Sequence, residues 1–148
     1  INCDLYSEKA EQKFDAAKVP YDDNTVDEIR AYHLIEHFDF MQGQEVLKEW
    51  YRVLKPGGRL WLETPDLLNT CEEYCKSSEE FRINLLSHFL GFPWISGNGH
   101  KMLFSENHLV WMLNNTGFKN IKRLVTDNGF YLSGVTPASL YLNIEAYK

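Results

Sequence analysis

The chain has 148 residues, 44% of them hydrophobic, and a formal net charge of −6, which is enough for one domain with its own core. Its 15 Lys and Arg are scattered among 21 Asp and Glu, which argues against a nucleic-acid surface, and no apolar run reaches membrane-spanning length. Three cysteines form no disulfide framework and nothing at the start reads as a signal peptide, so a reducing, cytoplasmic setting is expected.

Residues 1–3 read as a short strand, and a polar stretch, 6–13, follows it. Residues 14–17 are a second short strand candidate with Asp15 near its centre, and 19–24 are a loop by their Pro and Asx content. Residues 26–32 are a third strand, and 33–38 turn helical. Leu47, Trp50 and Leu54 fall at i, i+3 and i+7, one apolar stripe of a helix over 44–54. Pro56 stops that helix, Gly57 and Gly58 supply positive-φ turn conformations, and 59–64 form a buried strand.

Further on, 71–76 and 79–90 carry helical patterns, and 91–99 are rich in Gly, Pro and aromatics. Ser105 is a good N-cap for a helix that Gly117 ends. Residues 120–125 form a strand candidate, Asn128-Gly129 a turn, and 140–147 alternate with period two. Strands alternating with helical crossovers, then a closing antiparallel pair, predict a single α/β domain over 1–148, with a mostly parallel, Rossmann-like sheet and an antiparallel C-terminal strand.

Several residues carry chemistry. Asp4, at a strand's carboxyl end, offers two acceptor oxygens that match the vicinal diol of a ribose; the plain alternative is a turn cap. Asp15 and the Ala16 amide can read an adenine edge, against a solvated loop Asp. His33-Leu34-Ile35-Glu36-His37 matches the H-x-x-E-H pattern of inverted zinc peptidases. Two His at i, i+4 on one helical face can bind zinc, with a third ligand from Glu72, Glu73, Glu79 or Glu80. The preceding strand and the following Lys55-Pro56-Gly57-Gly58 turn are the wrong context, so no metal is expected. Cys71 and Cys75 have helical i, i+4 spacing without further ligands. His88, Trp94 and His100 can line an acceptor pocket, with a His as base.

Together these pieces resemble the class I S-adenosylmethionine-dependent methyltransferases, with the type-11 group as the nearest likeness. The resembling residues, in family order, are Ile1 to Leu5, Phe14-Asp15-Ala16, Val19 to Ile29, His33 to His37, Val53 to Leu60, His100 to Ser105 and Asn115 to Phe118. The resemblance implies S-adenosylmethionine as cofactor. Asp4 would hold the ribose, Leu5 would pack on the adenine and Asp15 and Ala16 would read its edge. Ala31, Tyr32 and His33 would lie along the methionine part, residues 65–101 would form the acceptor side, and His33, His37 and His100 are the candidate bases. The acceptor would be a small molecule, glycan or lipid.

One departure stands out. The family's first strand and glycine-rich loop precede the residues that match 1–4, so an N-terminally incomplete sheet is expected. Its open edges would then be closed by direct pairing of the two neighbouring strands or by a second copy in a homodimer. A non-catalytic binding or dimerisation module is the competing reading.

Overall fold

The computed structural model describes residues 1, 3, 8–92, 99–125 and 138–148. Strands β1 (Val26–Tyr32), β2 (Leu54–Pro65), β3 (Lys119–Leu124) and β4 (Tyr141–Tyr147) form one sheet in the order β1-β2-β4-β3. β1 and β2 are parallel, whereas β4 is antiparallel to both β2 and β3. The helices are α1 (Phe40–Val53), α2 (Leu67–Lys76), α3 (Glu79–Leu90) and α4 (Glu106–Thr116). The sheet is therefore mixed and open, in the α/β arrangement expected.

The crossover helix α1 sits where it does because of two signals. Asp39 accepts from the Gln42 amide at 2.9 Å and the Gln42 side chain accepts from the Asp39 amide at 3.3 Å, a reciprocal capping box. Its apolar stripe, Val46, Leu47, Trp50 and Val53, is buried. These residues, with Leu109, Met112 and Leu113 of α4, pack on Leu60, Leu62, Leu142, Ile144 and Ala146 from the middle of the sheet. On the opposite face the Arg30 and Arg59 guanidiniums lie 5.3 and 5.5 Å from the Trp61 ring centroid, and Glu28 pairs with both arginines.

Local structure departs from the sequence reading in several places. Residues 14–17 are a turn, not a strand: Asp15 Oδ1 accepts from the Ala17 amide at 2.9 Å, so Asx chemistry wins over β pairing. Cys3 makes a single parallel bridge to Gln12, not a strand of the main sheet. α1 begins four residues earlier than its stripe suggested, because the capping box lies upstream of it. Only Gly57 of the glycine pair has positive φ, at 78°. Gly58 is required for space, since a Cβ there would lie 2.8 Å from the Lys55 carbonyl oxygen and 3.2 Å from that of Asp27. The expected pairing of residues 1–3 across the sheet gap is not formed: among the described residues, β2 is the sole ladder partner of β1. The turn expected at Asn128-Gly129 lies outside the described residues.

Candidate functional site

The carboxyl ends of β1 and β2 lie side by side, where open α/β sheets place their ligands. β1 ends at Tyr32 and the next residue, His33, takes φ 49°, an uncommon conformation for a side chain other than Gly. Its amide extends the ladder by donating to the Glu63 carbonyl at 2.9 Å. A 3-10 turn, Ile35–His37, follows. The pattern His33-x-x-Glu36-His37 is therefore not helical, and its two imidazoles do not share one helical face as the zinc-peptidase geometry requires.

Instead the turn gathers a buried polar cluster. Glu36 and Glu63 are each 1% exposed. Glu36 accepts from the Thr64 hydroxyl at 3.0 Å and lies 3.3 Å from His33 Nδ1. His33 Nε2 lies 3.3 Å from Glu63 Oε1, an ion-pair distance outside hydrogen-bond geometry. The Tyr141 ring, from the start of β4, packs 5.0 Å from His33 and 5.3 Å from His88 on α3.

The segment after α3 closes the cluster from above. The Lys101 and Met102 amides both donate to the Glu36 carbonyl, at 2.8 and 3.2 Å. His100 Nδ1 lies 3.1 Å from the His88 carbonyl, and His37 Nδ1 lies 3.3 Å from the Gly99 carbonyl. A carbonyl only accepts, so in both rings Nδ1 carries a proton, and in the neutral ring Nε2 is the nitrogen with the lone pair. The His37 and His100 rings stand 5.1 Å apart.

Burial alone would depress the His33 pKa, but the hydrogen bond to Glu36 and the charges of Glu36 and Glu63 outweigh it and raise it to about 9. His88 goes the other way: burial, reinforced by His33 and His100, lowers it to about 4. Burial also lowers His100. The two large shifts have opposite consequences for stability. The His33 contribution is full below its unfolded value near 6.5 and is lost as pH rises through about 9. The His88 contribution is full above 6.5 and is lost as pH falls through about 4. Urea midpoints measured across this range are expected to peak near pH 6.5 and fall on both sides; in a His88→Phe variant the acid-side fall should shrink. A midpoint that keeps rising to pH 9 would contradict the His33 assignment.

The structure thus brings His33, His37 and His100 together. Tyr32 is half-buried against Trp61, with ring centroids 6.2 Å apart, and Ala31 is in the core. The Ala16 carbonyl accepts from Trp50 Nε1 of α1 at 3.1 Å, and Asp15 beside it is exposed. Asp4, Leu5 and Trp94 lie outside the described residues. Glu63, Thr64 and Tyr141 were not singled out from sequence; the available signal was a Glu-Thr pair interrupting an apolar strand just before Pro65. Cys71 and Cys75 are exposed and unpaired by disulfide.

The mixed sheet carries its buried polar cluster at the carboxyl ends of its two parallel strands. Residues 4–62 match the family model described as a methyltransferase domain. A SAM-dependent methyltransferase from Archaeoglobus fulgidus is similar, at 18% identity and TM-score 0.63, over 99% of this chain and 74% of that one. A Thermotoga maritima SAM-dependent methyltransferase, described as a possible histamine N-methyltransferase, is similar at 24% identity and TM-score 0.56, over 92% of this chain and 62% of that one. Human N-acetylserotonin methyltransferase, solved in complex with SAM, is similar at 16% identity and TM-score 0.58, over 97% and 35%. No curated protein matches the sequence. The fold is similar to that of these SAM-dependent methyltransferases, and the match over residues 4–62 agrees with the resemblance seen in the sequence. No helix among the described residues is long and apolar enough to cross a membrane.

Proposed function

We propose that this chain transfers a methyl group from S-adenosylmethionine to a hydroxyl or amine of a small-molecule, glycan or lipid acceptor. The observation that carries the reading is the buried His/Glu cluster at the carboxyl ends of β1 and β2, within and beside the residues that match the methyltransferase family.

The cofactor site is supported on one side. The backbone at Tyr32-His33 turns out of the sheet at φ 49°, and His33 Nε2 and Glu63 Oε1 are buried without a hydrogen-bond partner among the described residues. Asp15 spends Oδ1 on the Ala17 amide, which leaves Oδ2 for an amine donor. Asp4 and Leu5 would take the ribose and adenine. The described residues hold no glycine-rich turn at the end of β1, so no group is assigned to the methionine carboxylate. When bound, the cofactor supplies an electrophilic methyl group; the protein's share is positioning and proton handling.

That share falls to the histidines unequally. His33, paired with Glu36 and Glu63, holds its proton and serves as a fixed cation. With Nδ1 tied to a carbonyl, the neutral rings of His37 and His100 keep Nε2 for chemistry, and either can take the proton of an acceptor hydroxyl or amine. Residues 65–101 form the acceptor side.

Calorimetric titration with S-adenosylhomocysteine tests the reading. Binding with a Kd on the order of 1–100 µM is expected; absence of heat at about 1 mM ligand would defeat it. A second reading, a binding or dimerisation module of the same fold, is favoured by the edge of β1, which has a ladder partner on one side among the described residues. A dimer by light scattering without cofactor binding would support that alternative.

A further inference from the structure

We propose that Glu36, His37 and His100 form a binding site for a divalent transition-metal ion of the zinc class. One ligand atom from each of the three side chains lies within 4.8 Å of the other two. A tetrahedral zinc site with bonds near 2.1 Å holds its ligands roughly 3.4 Å apart. Side-chain rotation of about 1 Å therefore closes the set around an ion.

The surroundings prepare these groups as ligands. The Nδ1 atoms of His37 and His100 face the carbonyls of Gly99 and His88, at 3.3 and 3.1 Å. Metal-bound imidazoles are oriented in this way, with one nitrogen tied to a carbonyl and the other left for the ion. Glu36 is fixed through its second oxygen by the Thr64 hydroxyl at 3.0 Å. The two contributing segments are docked by backbone bonds, since the Lys101 and Met102 amides donate to the Glu36 carbonyl. Charge points the same way. Glu36 and Glu63 are both buried, and His33 lies at ion-pair distance from each of them, so the carboxyl side of the cluster offers oxygens to a cation.

Two imidazoles and one carboxylate favour zinc, cobalt or nickel over magnesium or calcium. Three protein ligands leave a fourth position, which in such sites goes to water or a substrate oxygen. An acceptor hydroxyl bound there would lose its proton to solvent water and remain as an ion-bound alkoxide. This is the same deprotonation that a histidine would perform in the ion-free protein. The site includes residues that the methyl-transfer reading assigns to proton handling, but it stands without that reading.

The test is titration of the chelator-stripped protein with Co2+, followed by visible absorption, and with Zn2+, followed by calorimetry. One ion per chain is expected, with the strong visible bands of four-coordinate cobalt, discharged by zinc. Glu36→Gln, His37→Ala and His100→Ala should each weaken binding by about 100-fold or more. His108→Ala should leave it unchanged, because His108 stacks between Phe40 and Phe104 away from the cluster. Cys71→Ser and Cys75→Ser should also leave it unchanged. Circular dichroism of each variant separates ligand loss from unfolding, and Glu36→Gln keeps the side-chain shape if the alanine variants do not fold. Absence of one-equivalent binding, or full affinity in folded His37→Ala and His100→Ala, overturns the proposal. S-adenosylhomocysteine titrated into the same samples keeps the two readings apart, since either ligand can bind while the other fails.

Discussion

Replacing His100 by alanine is expected to slow methyl transfer by about 10²–10⁴-fold, the usual range for loss of a positioned general base. The rate is read as S-adenosylhomocysteine release with the best acceptor from a hydroxyl and amine panel. S-adenosylhomocysteine affinity should hold within about twofold, because His100 belongs to the acceptor side rather than to the cofactor side. The reasoning is geometric. The His100 amide donates to the Leu90 carbonyl at 3.0 Å and its Nδ1 is tied to the His88 carbonyl, so the ring is held at both ends with Nε2 left over. Burial lowers its pKa, which keeps that nitrogen unprotonated at neutral pH. His33 differs in the same pocket, since two carboxyl groups hold a proton on it. An unchanged rate in the His33, His37 and His100 alanine variants together would remove the base from this picture.

The largest stability effect is expected at Trp50, on the helix face that the sheet covers. Trp50 is 3% exposed and belongs to the main core cluster. Trp50→Ala should cost about 3–5 kcal/mol, the range for deleting a large aromatic from a packed interior, and lower Tm by roughly 10 °C or more for a chain of this size. Its indole also reaches out of the core to the Ala16 carbonyl, at 3.1 Å. Trp50→Phe keeps most of the apolar volume and removes that bond, for about 1 kcal/mol. If Asp15 and Ala16 read the adenine, Trp50→Phe should weaken S-adenosylhomocysteine binding in a protein that still folds. Chemical denaturation gives the first number and calorimetry the second; a Trp50→Ala cost under about 1 kcal/mol would mean that the helix does not pack on the sheet as described.

The ion-pair network at the start of the sheet illustrates how little of the site was visible locally. Arg52 donates to Asp23, Glu49 and the Val19 and Tyr21 carbonyls, which pins the 19–24 loop to α1. Nothing in the spacing of those residues marks them as partners. The buried Asp66 shows the same limit. It caps α2 through the Leu68 and Asn69 amides and pairs with Arg123 at 2.8 Å across the sheet. The cap is a local pattern, whereas the pairing spans 57 residues.

What the sequence determined by itself was whatever depends on near neighbours in the chain. Leu47 and Trp50 placed α1 because helical periodicity is a local repeat, and both are buried; Leu54, read as the last member of the stripe, is buried as the first residue of β2. Ser105 and Gly117 bounded α4 because caps are local chemistry, and Gly117 takes φ 118° as a helix end requires. Lys55-Pro56-Gly57-Gly58 marked the end of α1 for the same reason, but these residues lie inside β2, which starts at Leu54, and not in a turn before it. The antiparallel direction of the last strand was legible in the sequence, whereas the strand order β1-β2-β4-β3 was not. Tertiary structure alone decided the site. Glu63 and Thr64 read as interior strand residues until β1 was laid in register beside them and the 3-10 turn swung Glu36 onto Thr64. His88 and His100 were scattered histidines until the backbone of 99–102 was bonded to that turn. Which nitrogen each imidazole keeps for chemistry depends on carbonyls up to 62 residues away, and no local rule of propensity or spacing contains that distance.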